Sequence, residues 1–308
     1  MIYEHLIEPS LLAKLAQDRR NCKDFVRQFS EPSPRVISNF PKFKSFRKLA
    51  YNALSIDDSE NTKQRLDELI LFVKEAHRVE RTNVFSGEIS WHENVALASK
   101  SCFADYALVE RQEPEYFSGK IIRLKDFEEG LDDLQGQAIV EKEVGKMVGA
   151  FGNLLRLSQD ITFVDPYFSD NPKVWEVFIA LVSEAVKDAP CKGTSITVLY
   201  SAEKANLPAP SHLLNKFERE NPHLFDDLDR LEFITLESKA DNEDLHNRYL
   251  ITELAGLSLG FGFDARGEGQ TDDVSILGKE LYETRYKQYV EMEAFTLVNK
   301  VSKIIRHK

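Results

Sequence analysis

The feature that most constrains the fold of this chain is the alternation of strand-like and helix-like segments in its second half. Short runs rich in β-branched and aromatic residues predict strands over 161–164, 195–200, 231–236, 245–253 and 257–262. Longer stretches with apolar residues at helical spacing predict helices over 137–157, 171–187, 210–220 and 279–306. Such alternation is typical of an α/β sheet with helices on its faces, and we assign it to a domain over residues 136–308.

Residues 1–135 carry a different pattern. Apolar residues at helical spacing predict amphipathic helices over 9–19, 22–29 and 62–79, whereas strands are predicted only near 84–89 and 103–109. A polar stretch over 112–136, which contains the acidic run Glu128–Asp133, is predicted to be either the boundary or an acidic solvated loop. We therefore predict a mainly helical α+β region, with a few strands and an unknown role, in front of the α/β domain.

The run Phe40–Lys48 interleaves aromatic residues with cations. Such a run can stack on the bases of a nucleic-acid strand and neutralise its phosphates. The alternative is a helix whose Phe43 and Phe46 face the core while its cations remain solvated. The sequence leaves both interpretations open and favours the second.

Bulk composition narrows the classes of function. The chain has 42% hydrophobic and 30% charged residues, which is typical of a globular protein. Its formal net charge of −11 argues against a surface that is basic throughout, so nucleic acid would have to bind through a local basic groove. The three cysteines have no metal-ligand spacing, and we find no secretory signal pattern and no apolar run of transmembrane length. We therefore expect a cytoplasmic protein.

One short motif stands out among the strand segments. His246 and Arg248 are two residues apart, so a strand at this position would place them on the same face. The pair is followed by Glu253 and, after six further residues, by Gly260. An imidazole beside a permanent cation suits phosphoryl chemistry, because one group can attack or transfer a proton while the other holds the phosphate.

The spacing of this motif resembles the His-x-Lys-x4-Asp-x6-Gly pattern of the phospholipase D superfamily, with Arg248 at the lysine position and Glu253 at the aspartate position. The predicted strand 161–164 ends in the sequence Asp165–Phe168, which resembles the end of the first strand in a phospholipase D-like half. The two features together are similar to divergent phospholipase D-like domains, such as the C-terminal domain of some MIT-domain proteins. The resemblance covers about residues 155–305.

The resemblance implies a mixed sheet flanked by helices and a metal-independent reaction that needs no cofactor. It also implies that His246 is the nucleophile or acid, that Arg248 clamps the phosphate, and that Glu253 orients the histidine. Arginine suits its position because it stays charged and can donate two hydrogen bonds at once. The remaining candidates would contact phosphate or substrate from strand ends or through close backbone approach, and they are Asp165, Tyr167, Gly260, Gly262 and Asp264.

Three functions are compatible with these residues. The first, which is our leading prediction, is a metal-independent phosphodiesterase acting on nucleic acid rather than on lipid, a nuclease of a type associated with phage defence or toxins. Because the chain carries one motif, its complete site would need a homodimer or a contribution from residues 1–135. The second is an inactive domain that binds a phosphate-bearing ligand through Arg248, which is favoured by Phe261 standing where the family has serine. The third is an adaptor that docks a protein partner through residues 1–135.

Overall fold

A computed structural model of the chain describes residues 1–30, 32–100, 104–125, 134–187, 193–239 and 244–305. The chain divides into two compact units, Ile2–Gln135 and Gly136–Lys308. Within the described ranges, no helix is long and apolar enough to cross a membrane. The acidic run Glu128–Asp133, which was predicted to be the boundary or a solvated loop, lies outside the described residues.

The first unit contains a parallel five-stranded sheet with helices, in the strand order β3-β2-β1-β4-β5. Buried apolar side chains such as Leu12 and Leu66 form a core between the helices and the sheet. The elements in chain order are β1 (Tyr3–Ile7), α1 (Pro9–Gln17), α2 (Arg19–Phe29), β2 (Arg35–Ser38), α3 (Phe43–Asn52), α4 (Glu60–Glu75), β3 (Arg78–Val79), α5 (Trp91–Ala98), β4 (Tyr106–Val109) and β5 (Lys120–Arg123).

The first region is mainly helical with a few strands, as predicted, but the predicted α+β class was wrong, because the strands form one parallel sheet that alternates with helices. The central strand β1 buries polar residues, which hides it from a search for apolar alternation. Glu4 is fully buried on β1, and its carboxylate accepts a hydrogen bond from Arg81 Nε at 2.9 Å. The strand predicted near 84–89 is irregular backbone, and Val84 is 90% exposed.

The aromatic residues of the run Phe40–Lys48 face the interior. Phe40 is 2% exposed and Phe46, on α3, is 4% exposed. Phe43 is partly buried against the same core as Phe46. The packing interpretation of this run is therefore confirmed.

The second unit is a mixed eight-stranded sheet flanked by helices, in the strand order β13-β9-β8-β7-β10-β11-β12-β6. Its elements in chain order are β6 (Gln137–Glu141), α6 (Val144–Leu157), β7 (Asp160–Val164), α7 (Pro172–Val186), β8 (Thr194–Ser201), α8 (Pro210–Glu220), α9 (Pro222–Asp226), β9 (Leu228–Ser238), β10 (Arg248–Thr252), β11 (Gly256–Leu259), β12 (Thr271–Ile276), α10 (Lys279–Arg285), a π-helical turn (Tyr286–Val290) and β13 (Phe295–Ile304).

Strand direction in this sheet changes next to β7. The strands β7, β8 and β9 run parallel, as expected for segments joined by crossover helices, whereas β10 runs antiparallel to β7. On one side of the sheet, aromatic rings form the core, with Phe163 and Phe178 centroids 5.5 Å apart and Phe178 and Phe233 centroids 6.0 Å apart. The strand β7 is thus packed into an aromatic core just before its end.

Two helix predictions in this unit were wrong over part of their length. The predicted helix 137–157 begins with the strand β6, where Val140 is buried and Ile139 is 75% exposed. The predicted helix 279–306 is replaced by a short helix, a π-helical turn and β13. Met292 takes a φ of 58°, which ends any helix, and the β-branched residues that follow favour a strand paired antiparallel with β9.

Candidate functional site

A cleft of about 420 Å³ opens at the carboxyl end of β7. Asp165 follows β7 directly, and Arg248 begins β10, in which Tyr249 pairs with Val164. Because an antiparallel neighbour begins where its partner ends, the sheet itself brings Asp165 and Arg248 together. Four of the predicted site residues line this cleft, and they are Asp165, Tyr167, Arg248 and Asp264.

The guanidinium of Arg248 is oriented by groups on three sides. Its Nε lies 3.7 Å from Asp165 Oδ1, and its Nη1 donates to the carbonyl of Gly260 at 3.5 Å. The guanidinium carbon lies 5.3 Å from the ring centroid of Tyr167, within the range of a cation–π contact. Since the Arg248 side chain is still 19% exposed, it is both positioned and accessible to a ligand in the cleft.

Asp165 is a buried carboxylate that supports Arg248 and the surrounding loops. Its oxygens accept backbone hydrogen bonds from Tyr167 at 3.0 Å and from Phe263 at 3.4 Å. Burial raises the pKa of Asp165, and these hydrogen bonds and the charge of Arg248 offset that effect only in part. The residue therefore acts as a buried anchor for the guanidinium.

Gly262 occupies a position that requires glycine. Its φ is +80°, a conformation that side chains disfavour. A β-carbon here would lie 2.6 Å from Asp165 Oδ2 and 3.0 Å from Arg248 Cδ. Gly262 was predicted to let the backbone approach a phosphate, and in the structure its Cα packs against the Asp165–Arg248 pair.

A buried lysine that the sequence analysis missed lies behind the cleft. Lys142 follows β6 directly, its side chain is 1% exposed, and its Nζ donates to the carbonyl of Gly262. The same nitrogen lies 3.2 Å from Asp264 Oδ1 and 4.0 Å from Asp272 Oδ2. Burial lowers the pKa of Lys142, and the charge of Asp264 opposes that shift. In the sequence this lysine stands between Glu141 and Glu143 within the predicted helix 137–157, where charged neighbours indicate a solvated face.

Asp272 holds the other end of the same loop. Its carboxylate accepts the backbone N–H of Gly260 at 2.9 Å and that of Phe261 at 3.1 Å. A β-carbon on Gly260 would lie 2.8 Å from Asp272 Oδ1, so this glycine allows the close approach of a carboxylate. The loop Gly260–Asp264 is thus fixed by Asp272 and Lys142 from behind, and by Asp165 from the end of β7.

Further cations and polar groups that sequence reasoning missed also line the cleft. Arg266 donates through Nε to Asp264 Oδ2 at 2.7 Å, and Lys173 lies in the first turn of α7. Asn171 caps that helix through a hydrogen bond from the Lys173 N–H at 3.0 Å. Although burial acts to raise the pKa of Asp264, the hydrogen bond from Arg266 and the charge of Lys142 lower it.

His246 does not lie where the motif predicted. It precedes β10, which begins at Arg248, so the two residues do not share the face of a strand. The His246 side chain is exposed, and the described lining of the cleft does not include it. The prediction that the two residues share one face of a strand is therefore wrong, and their joint action on one phosphate stays a prediction.

Glu253 also lies away from the cleft. It follows β10 at the end opposite Arg248, five residues on, which corresponds to about 17 Å along a strand. Its carboxylate accepts the backbone N–H groups of Gln159 at 2.8 Å and Asp160 at 3.1 Å, where β7 begins. Burial raises its pKa against the effect of these hydrogen bonds. Its contacts are structural, and the predicted role of orienting His246 is wrong.

Replacing Glu253 with alanine is expected to lower the free energy of unfolding by about 1 to 2 kcal/mol, because two amide groups at the start of β7 lose their acceptor. Urea denaturation measures the change. Glu237→Ala, at an exposed position on β9, is the control and should change the stability by less than about 0.5 kcal/mol. Equal effects of the two substitutions would contradict the assigned role of Glu253.

Comparisons with known proteins leave the family open. No protein-family model matches the chain, and no curated protein matches it significantly. Among solved structures, the chain matches TrmBL2, an archaeal chromatin protein whose structure shows a novel mode of DNA binding. The match has 12% identity and a TM-score of 0.29, and it covers 55% of this chain and 54% of that one, so this chain spans about half the length of TrmBL2. A TM-score of this size identifies neither a shared fold nor a shared function.

Proposed function

We propose that the second unit is a binding module that holds a phosphate-bearing ligand in the cleft at Arg248. The observation that carries this proposal is the oriented guanidinium, which lies between Asp165 and the ring of Tyr167 and is still accessible from the cleft. A planar guanidinium fixed in this way matches the geometry of two phosphate oxygens. The motif resemblance to phospholipase D-like domains supports the same ligand chemistry.

The charges around the cleft favour an anion in spite of the acidic composition of the chain. Three cationic side chains line it, those of Lys173, Arg248 and Arg266, against the two carboxylates Asp165 and Asp264. The first turn of α7 lies at the same cleft, and the positive end of the helix dipole adds to the potential there, although Asn171 already accepts the N–H of Lys173. An anionic group would therefore enter a local field of opposite sign.

Binding is better supported than hydrolysis. The phosphodiesterase predicted from the motif, and the nuclease and phage-defence roles attached to it, require a histidine at the phosphorus atom. His246 is exposed and outside the described lining of the cleft. A homodimer that supplies a second histidine, and a phospholipase D-like fold in the strict sense, stay predictions of the motif alone.

Arg248→Ala is expected to weaken binding of a phosphate-bearing probe by about 10- to 100-fold, the loss that follows from removing charge-assisted hydrogen bonds. His246→Ala should change the affinity by less than about twofold, which is within the scatter expected for a side chain outside the site. Isothermal titration calorimetry with ribose 5-phosphate at low salt measures both. An equal loss in the two variants would contradict the placement of the site.

The matched control for Arg248 is Arg230→Ala. Arg230 is a half-exposed arginine on β9, with its Nη2 3.8 Å from Asp160 at the beginning of β7, and it should leave the affinity unchanged. Arg248→Lys keeps the positive charge but loses the planar group that donates two parallel hydrogen bonds, so it should retain part of the affinity. A parallel assay with bis(p-nitrophenyl) phosphate in EDTA tests hydrolysis, and turnover that disappears in His246→Ala would replace the binding module with the phosphodiesterase.

A further inference from the structure

Phe261 is an exposed aromatic residue on a loop that is otherwise fixed. Its side chain is 52% exposed at the cleft, whereas Phe263, two residues on, is buried with its ring centroid 5.2 Å from that of Phe163. The backbone N–H groups of Gly260 and Phe261 are both bound by Asp272. The structure therefore holds an apolar ring at the mouth of a charged cleft, in a place where it adds little to the core.

Cations are stacked on the aromatic rings of this cleft. The guanidinium carbon of Arg266 lies 4.6 Å from the centroid of Phe261, and Arg266 is kept in place by its hydrogen bond to Asp264. Tyr167, which is 43% exposed, has Arg248 at 5.3 Å and Lys204 at 5.2 Å from its centroid. Guanidinium planes and aromatic faces are the two kinds of surface on which nucleobases stack.

Resting on the proposed phosphate-binding function, we infer that the ligand is a nucleoside phosphate whose base stacks at Phe261 and Arg266 while its phosphate is held by Arg248. The two contacts lie at one cleft of about 420 Å³, within the range of small-molecule sites. A phosphate alone, or a sugar phosphate, would use Arg248 and leave the aromatic side of the cleft without a partner. The same chemistry is offered by a free nucleotide and by a single-stranded nucleic acid.

The test compares ligands that differ only in the base. For the wild-type chain, AMP is expected to bind about tenfold more tightly than ribose 5-phosphate, since one base stacked on an aromatic ring contributes an effect of this order. Phe261→Ala should remove this advantage and leave the affinity for ribose 5-phosphate unchanged. Phe261→Trp should keep or increase it. The control is Tyr116→Ala, which removes an 80% exposed aromatic ring from the first unit. Tyr116 has a φ of 60°, and alanine keeps the β-carbon, so the backbone strain is unchanged. This variant should have no effect on the affinity for AMP.

The outcomes separate this inference from the proposed function. Equal affinity of the wild type for AMP and ribose 5-phosphate, with both depending on Arg248, would overturn the inference and leave the phosphate site intact. Absence of binding to either ligand would overturn both. Binding to anionic vesicles that depends on Phe261, without an advantage for AMP, would overturn the inference in favour of a lipid. A short oligo(dA) that binds more tightly than AMP, again through Phe261, would identify a single strand as the source of the nucleotide, and equal affinity would identify free nucleotide.

Discussion

Replacing Gly262 with alanine is expected to lower the free energy of unfolding of the second unit by about 3 kcal/mol or more and to abolish phosphate binding. The positive φ of +80° alone costs a side chain about 1 to 2 kcal/mol. The added β-carbon would also lie 2.6 Å from Asp165 Oδ2 and within about 3 Å of Arg248, and overpacking of this kind costs a further 1 to 3 kcal/mol. Relief of the contact would have to move the two side chains that form the site.

Gly269→Ala is a close control for this substitution. Gly269 has a φ of +78°, and a β-carbon there would meet nothing within 4 Å. The control shares the backbone strain of Gly262→Ala and lacks the contact, so it should cost only about 1 to 2 kcal/mol and keep the phosphate affinity. The chain has two tryptophans. When Trp91 is replaced with phenylalanine, the fluorescence of Trp175 on α7 follows the unfolding of the second unit alone. Equal losses in the two glycine variants would show that the contact with Asp165 and Arg248 is unimportant.

The sheet edge that carries the cleft could be predicted from the sequence for a physical reason. Residues 161–164 are rich in β-branched and aromatic side chains and are all buried, which is typical of a strand covered on both faces, and Asp165 follows them directly. Polar residues directly after such strands gather at one edge of a sheet. The alternation of strands and helices from 161 to 236 is also found in the structure, so the α/β class of the second unit is confirmed.

The sequence-based predictions that were wrong depend on where strands begin and on which charged side chains are buried. His246 and Arg248 could share a face only if both lay within one strand. Because β10 begins at Arg248, His246 lies before the strand and the alternation of side chains does not apply to it. Lys142 was missed because burial of a lysine depends on Asp264 and Asp272, more than 120 residues away in the chain. The loss of the final helix at Met292 likewise reflects pairing of β13 with β9, which local periodicity does not show.

These failures explain why the site differs from the motif. Of the three motif residues, Arg248 lines the cleft and His246 is exposed. The third, Glu253, accepts backbone hydrogen bonds where β7 begins. The residues that replace them at the cleft, Phe261 and Arg266, both lie in the connection between β11 and β12. The chemistry of the cleft is therefore determined by a loop that the motif does not describe. Replacement of Lys142, which binds this loop from behind, should consequently affect both stability and ligand binding.

Lys142→Met is expected to lower the free energy of unfolding of the second unit by about 3 to 5 kcal/mol, the range measured when one partner of a buried ion pair is removed. Methionine keeps much of the length of the side chain, so the loss comes from the charge and the hydrogen bond to the Gly262 carbonyl rather than from a cavity. Asp272 would stay 3% exposed without its cation. The loop that carries Phe261 and Asp264 would loosen, and binding of AMP should weaken together with stability.

Lys146→Met is the matched control, because Lys146 is 59% exposed and its Nζ lies 3.6 Å from Glu141, so its loss should cost less than about 1 kcal/mol. Combining Lys142→Met with Asp272→Asn removes the uncompensated carboxylate as well. The double variant should therefore be more stable than the sum of the two single losses predicts, by about 1 kcal/mol or more, as expected for two residues in contact. Urea denaturation of the wild type, the two single variants and the double variant measures this coupling directly, and additive losses would mean that Lys142 and Asp272 do not stabilise each other.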